Sequence, residues 1–263
     1  MPAAASPELE RAIEVFARGF SYVRSRTHPY EATPNAVPGF PDAPPLWVLR
    51  DAERRRGNYR TEEWLSCNLP PAVVDAAARA DTRGRFVICA IHPAGSSDQP
   101  LRDGFRALGY RLNTTEPLMM HPLRRIPRVA APAEIGRVLT PEMADRLHQA
   151  THNRQIRPED LHPGARQRQY VAFVDDTVVG WVGSIVVNGA TWCQNMFVVE
   201  QYRRRGIARA MLCRMLRDDR AHGAEMAVLT ASHTGARLYP LVGYRQIGLL
   251  LAYTPKRRAT VRA

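Results

Sequence analysis

The sequence predicts a mixed α/β chain, a mostly antiparallel sheet flanked by helices, and three observations carry that prediction. Apolar runs at 170–174, 178–187 and 191–199 follow one another, with Asp175-Asp176 and Asn188-Gly189 between them. Those pairs accept the left-handed backbone that tight hairpins need, so the runs read as three consecutive strands. The period then changes: Ile207, Met211, Leu212, Met215 and Leu216 recur on one helical face, and Gly223 supplies a stop just beyond it. A further strand-like run, 227–231, follows that helix.

From the start of the chain, Ser6 can cap a helix, Pro7 suits its first position, and Glu8 and Glu10 favour its first turn. Ile13, Phe16, Ala17 and Phe20 give that helix its apolar face. Between 28 and 46 prolines recur at 29, 34, 38, 41, 44 and 45, too densely for a regular element, and a loop is expected. Residues 85–91 form an apolar run like 225–231. Phe105-Arg-Ala-Leu-Gly-Tyr-Arg111 aligns without gaps on Tyr239-Pro-Leu-Val-Gly-Tyr-Arg245, and apolar segments follow both, at 118–120 and 249–253. This echo points to two related units, 1–128 and 129–263, joined near 121–129; a chance Gly-Tyr-Arg match is the competing explanation. Val129 onward should start the first strand of the second unit, and 141–150 its first helix.

The stretch 202–212 carries the most chemistry. It sets Arg203-x-x-Gly206-x-Ala208 between a strand and a helix, with Arg204, Arg205 and Arg209 around the small residues. Small side chains let a polyanion approach backbone N–H groups at a helix end, where unpaired donors and the dipole favour it. An Arg-rich surface turn is the bland alternative. In the first half Arg54-x-x-Gly57 is a weaker echo, with Tyr59 standing where a small residue is wanted.

Three strands, the R-x-x-G-x-A helix, a strand, then Leu238-Tyr239-x-x-x-Gly243-Tyr244: in this order the chain resembles the GNAT superfamily of N-acetyltransferases over about residues 129–255. The resemblance implies acetyl-CoA as cosubstrate and an amine-bearing small molecule or peptide as acceptor. It implies that backbone groups of Phe197 and Val198 pair with the pantetheine arm. Arg203, Arg204, Arg205, Gly206, Ile207, Ala208 and Arg209 would cradle the pyrophosphate. Ser232 stands where many relatives have Asn, and Gly235 where Ala is usual; Ser232 would cap the following helix or reach the pantetheine. Tyr239 matches the acid that protonates the departing thiolate, its alternative being a tyrosine packed in the core. Pro240 is unusual, since the residue before a proline is pushed away from helical geometry.

The implied reaction is direct attack by a neutral amine, so a base or water chain must take its proton. Many relatives carry a Glu on the fourth strand, where this chain has Gln194 and Asn195. Glu200 is the candidate base, with His148, His152, His233 and a water relay as alternatives. A backbone N–H near Val198 would meet the oxyanion. Cys193 and Cys213 are not needed as nucleophiles and read as small buried hydrophobes. Phe105 replaces Tyr239 in the first half and cannot give a proton, so that half reads as a non-catalytic copy. The tandem layout is similar to that of the mycothiol-synthase kind. A catalytically silent acyl-CoA-binding sensor or interaction protein is the alternative, suggested by the missing strand carboxylate.

At 263 residues there is chain enough for two ordinary cores. Four cysteines without CxxC spacing indicate neither a metal site nor a disulfide framework. No apolar run spans a bilayer and the first six residues are no secretory signal, so a cytoplasmic protein without membrane partners is expected. The net charge of +12 is almost all arginine, which attracts polyanions generally. Aromatic and basic residues do not interleave as in nucleic-acid modules, so nucleic acid is not the expected partner. A homodimer is left open by the sequence.

Overall fold

A computed structural model describes residues 5–53 and 58–256. The chain runs α1 (Pro7–Arg24), β1 (Tyr30–Asn35), β2 (Leu46–Asp51), β3 (Glu62–Cys67), α2 (Pro71–Asp81), β4 (Phe86–Pro93), α3 (Gln99–Ala107) and β5 (Tyr110–His121). It continues through β6 (Glu134–Arg137), α4 (Pro141–Thr151), β7 (Gln167–Val174), β8 (Thr177–Val187), β9 (Ala190–Val198), α5 (Ile207–Ala221), β10 (Met226–Thr230) and β11 (Arg245–Pro255). Local signals act as expected: Ser6 accepts from the Leu9 N–H, and Pro7 opens α1. Asp175, Asp176, Asn188 and Gly189 all take positive φ at the two hairpin turns, and Gly223 does so just after α5.

Contacts divide the chain into two units. One runs to Leu118 and takes in the chain from Gln246; the other is Met119–Arg245. The expected division at 128/129 is therefore corrected at both ends. β11 leaves the segment that precedes it and pairs antiparallel with β4, Leu250 opposite Ile91 and Ala252 opposite Cys89. Such non-local pairing leaves no mark in a linear pattern.

The first unit orders its strands β1-β2-β3-β4-β11-β5. β1, β2 and β3 pair antiparallel, and β3 and β4 are parallel from Glu62 opposite Phe86 to Cys67 opposite Ile91. Its core gathers Trp64, Val74, Ala78, Phe105, Tyr110, Leu251 and Tyr253. The loop expected over 28–46 is partly a strand. β1 contains Pro34, tolerated because β1 is an edge strand, where a missing N–H need not break a ladder. Residues 54–57, the weaker echo of the anion motif, lie outside the described residues.

In the second unit the order is β6-β7-β8-β9-β10, antiparallel up to β9 and parallel between β9 and β10. Its first strand begins at Glu134 rather than near Val129. Helices cover both faces: α5 packs Met211, Leu212 and Met215 with Val179, Val182 and Leu229, and α4 packs Leu147 with Val171, Phe173 and Trp181. That double cover explains why β8 reads as a nearly continuous apolar run.

One buried charge fixes α5. Asp219, fully buried, accepts from Arg168 at 2.8 Å, Ser184 at 2.9 Å and Thr191 at 3.0 Å. A single carboxylate so ties the helix to β7, β8 and β9. Burial alone pushes its pKa up, and Arg168 and the two hydroxyls oppose that.

Candidate functional site

β9 and β10 pair only from Ala190/Met226 to Trp192/Val228. Beyond Trp192 the β10 side of β9 has no ladder partner from that strand. On the other side β9 stays with β8, but its register shifts between Trp181 and Gly183, and Asn195 takes φ +53°. This bulge re-aims the strand. Asn195 Nδ2 donates to Gln155 Oε1 at 2.6 Å, which ties the bulge to the segment after α4. The Val199 N–H donates to the Val179 carbonyl at 2.9 Å. By strand alternation the backbone groups of Phe197 face β8 and those of Val198 face the open side. Of the two residues expected to offer backbone groups, Val198 is so placed, and its carbonyl already accepts from Arg203 Nε at 2.9 Å.

The Arg203 side chain is thus tied to the end of β9. Its guanidinium also lies 5.6 Å from the Phe197 ring centroid, while Trp181 stacks on that ring at 4.6 Å. The Arg203 N–H is used by Glu200 O. After it the backbone opens. Arg204 has φ +64° and Gly206 φ +85°, and α5 begins at Ile207. Among the described residues no hydrogen bond engages the backbone N–H groups of 204–209. A Cβ on Gly206 would meet nothing nearer than Pro132 Cγ at 3.9 Å. Unpaired donors, left-handed turns and a helix start are together the kind of arrangement that can hold an anion. Arg204, Arg205 and Arg209 are exposed around it, with Arg205 bonded to the Gln201 carbonyl at 3.1 Å, whereas Ile207 is buried and offers only its N–H.

Tyr239 opens the short 3-10 turn Tyr239–Val242. Pro240 stands near the start of that turn, where its missing N–H costs no helical bond, and Tyr239 is the first residue of the turn although it precedes a proline. Tyr239 is 8% exposed, and its ring meets Tyr244 edge-on with centroids 5.6 Å apart. Burial, with the neighbouring Cys193 second, raises its pKa above that of an ordinary tyrosine, which keeps the phenol protonated. Ser232 Oγ accepts from the Gly235 N–H at 3.1 Å, the capping role. A Cβ on Gly235 would lie 3.2 Å from that oxygen and 3.3 Å from the Tyr239 ring, so the glycine makes room for both.

The remaining candidates are less gathered. Glu200 is exposed at the head of a short 3-10 helix, and no contact among the described residues joins it to Tyr239. His148, His152 and His233 are exposed, the first two on or ending α4. Cys193 and Cys213 are buried free thiols, and burial pushes both pKa values up, which disfavours a nucleophilic thiolate. Sequence reasoning missed three groups: Asp219, an acid three residues past the apolar position Leu216 of α5; Gln155; and His121, buried at the end of β5. Among the described residues no His, Cys, Asp and Glu cluster could hold a metal ion, and no helix is long and apolar enough to cross a membrane.

Residues 165–246 match the family model described as an acetyltransferase (GNAT) domain. A search of curated proteins finds no match. Among solved structures, the chain is similar to a GCN5-related N-acetyltransferase from Kribbella flavida, at 15% identity and TM-score 0.61, covering 99% of this chain and 98% of that one. Another such enzyme, from Sphaerobacter thermophilus, aligns at 16% identity and TM-score 0.52 over 99% and 97%. A tandem GNAT protein from the clavulanic acid biosynthesis pathway aligns at 13% identity and TM-score 0.51 over 99% and 98%. At these identities the likeness is one of fold.

Proposed function

We propose, from the match of residues 165–246 to the acetyltransferase (GNAT) domain model, that the protein transfers an acetyl group from acetyl-CoA to a primary amine of a small molecule or peptide. The observation that carries the proposal is the run of unengaged N–H groups at 204–209 beside the open side of β9. A pyrophosphate fits that cradle, and an extended pantetheine arm fits a strand edge that β10 has left. The Val198 N–H is aimed toward the open side, where a thioester oxygen would gain charge as the amine attacks. A protonated, buried Tyr239 suits donation to the sulfur as the carbon–sulfur bond breaks. The proton on the attacking amine leaves through Glu200 or a water relay.

The second part of the proposal is tandem architecture: the first unit is a copy of the same fold that has lost the site. Phe105 and Tyr110 repeat the ring geometry of Tyr239 and Tyr244, with centroids 5.6 Å apart in both pairs and planes at 74° and 69°. Gly109 and Gly243 both leave those turns at positive φ. A rival reading, a silent acyl-CoA binder, draws on Gln194 and Asn195 standing on β9 without a carboxylate. Thiol release from acetyl-CoA, assayed against a panel of small primary amines and lysine peptides, separates the two. Turnover on any amine supports the enzyme; tight binding without turnover on all of them favours the silent binder.

A further inference from the structure

His121 ends β5 with 1% of its surface exposed, and both ring nitrogens are in use. The Leu123 N–H donates to Nδ1 at 2.8 Å, and Nε2 stands 2.9 Å from the Val242 carbonyl. A nitrogen that accepts carries no proton, so the proton sits on Nε2 and the ring is neutral. Burial acts in the same direction, holding the pKa below that of an ordinary histidine.

The carbonyl it grips belongs to the turn that presents Tyr239. That turn exits through Gly243 at φ +107°, and a Cβ there would lie 2.7 Å from His121 Nε2. The imidazole occupies the space the missing side chain leaves. Its ring also meets Tyr244 edge-on at 5.3 Å, and Tyr244 in turn packs on Tyr239. His121 thus holds the turn on both sides of Gly243. In the first unit the equivalent glycine is held by backbone instead, the Lys256 N–H donating to the Gly109 carbonyl at 2.9 Å.

We propose that His121 is a positioning residue for Tyr239, setting the turn through its Nε2–H bond to Val242 and its packing on Gly243 and Tyr244. This rests on the reading of Tyr239 as the group that meets the coenzyme A sulfur. The chemistry separates the two ring nitrogens. Gln at 121 can place an amide N–H where Nε2 stands; Asn can replace only Nδ1.

The test uses full-length wild type, His121→Gln, His121→Asn and His121→Ala. Amide hydrogen exchange reports on the Gly243 and Tyr244 N–H groups, which bond to Pro240 and Tyr239 carbonyls. Ultraviolet titration of the thiol of bound coenzyme A reports on what faces the sulfur. The Gln variant should keep both readouts near wild type. Asn and Ala should speed exchange in the turn by about tenfold, the effect of one lost hydrogen bond, and shift the thiol titration. Gln and Asn behaving alike, or a thiol titration unmoved in every variant, overturns the proposal. Failure of wild type to bind coenzyme A sinks the acetyltransferase reading instead, and with it the catalytic consequence of the clamp, while the exchange contrast still reports the clamp itself.

Discussion

Each unit contains a parallel strand pair, β3 with β4 and β9 with β10, and the two pairs end in opposite ways. In the first, β3 and β4 stay paired to Cys67 and Ile91, so both strands keep their ladder bonds. In the second, β9 and β10 part after Trp192 and Val228. A strand that gives up ladder bonds must satisfy its backbone elsewhere, with water or a ligand. The aromatic turn follows suit. Phe105 is fully buried and stacks on Tyr253 at 4.5 Å, sealing the first unit with a ring that has no proton to give. Tyr239 brings a hydroxyl to the corresponding place, and Gly235 leaves space beside it. On the proposed reading, the closed ladder and apolar ring of the first unit serve as scaffold, and the parted ladder and phenol of the second serve as the site.

The largest effect that would sharpen this contrast is on Asp219. Asp219→Ala leaves Arg168 buried without its partner and should destabilise the second unit by about 3–5 kcal/mol, read as a lower denaturation midpoint. A loss under about 1 kcal/mol would mean the hub is not what holds α5 to the sheet.

Gly206→Trp comes next. A Cβ at 206 meets nothing nearer than 3.9 Å, although the left-handed backbone there strains any side chain; an indole would fill the cradle, so acetyl-CoA affinity should fall at least about 100-fold, roughly 2.7 kcal/mol. Tyr239→Phe makes the second turn resemble the first. It should lower kcat about 100-fold, within the range for losing a general acid, with unfolding free energy within about 1 kcal/mol of wild type. The reverse change, Phe105→Tyr, should confer no second acetyl-CoA site and cost about 1–3 kcal/mol for burying an unmatched hydroxyl; a gained second site would break the comparison.

The smallest effect is that of pH on His121. Its pKa is lowered in the fold, so its contribution is complete above the unfolded value of about 6.5 and declines as pH falls toward the folded value. The groups around the ring are the Leu123 N–H, the Val242 carbonyl, Gly243 and the Tyr244 ring. Denaturation midpoints measured from pH 8 to 5 should fall less steeply in His121→Gln than in wild type; parallel curves would contradict the assignment.

Much of the second unit was legible because its signals are local. Asp175-Asp176 and Asn188-Gly189 specify turns, and the apolar spacing of Ile207 to Leu216 specifies α5. The Gly206 motif could be read because small residues and arginines sit next to one another in the chain. What escaped depends on partners far apart in sequence. Nothing near Leu250 announces that it will face Ile91, and nothing near His121 announces Val242. Pro34 misled because proline argues against strands in general, and only the sheet order shows that β1 is an edge. Asp219 did leave a trace, a carboxylate three residues past Leu216 on the buried side of α5. Phe197 was placed correctly in its strand, but the bulge at Asn195 decides which backbone groups face outward, and a bulge has no fixed sequence mark.

The most direct test of the central claim, one working cofactor site in the second unit, is calorimetric titration of acetyl-CoA into wild type, Gly206→Trp and Tyr59→Ala. Gly206→Asn serves as a control, since Asn tolerates the same left-handed backbone. The account predicts one site per chain, abolished by Trp at 206 and unchanged by Ala at 59. No binding by wild type, or binding that survives Gly206→Trp and is lost with Tyr59→Ala, would contradict it.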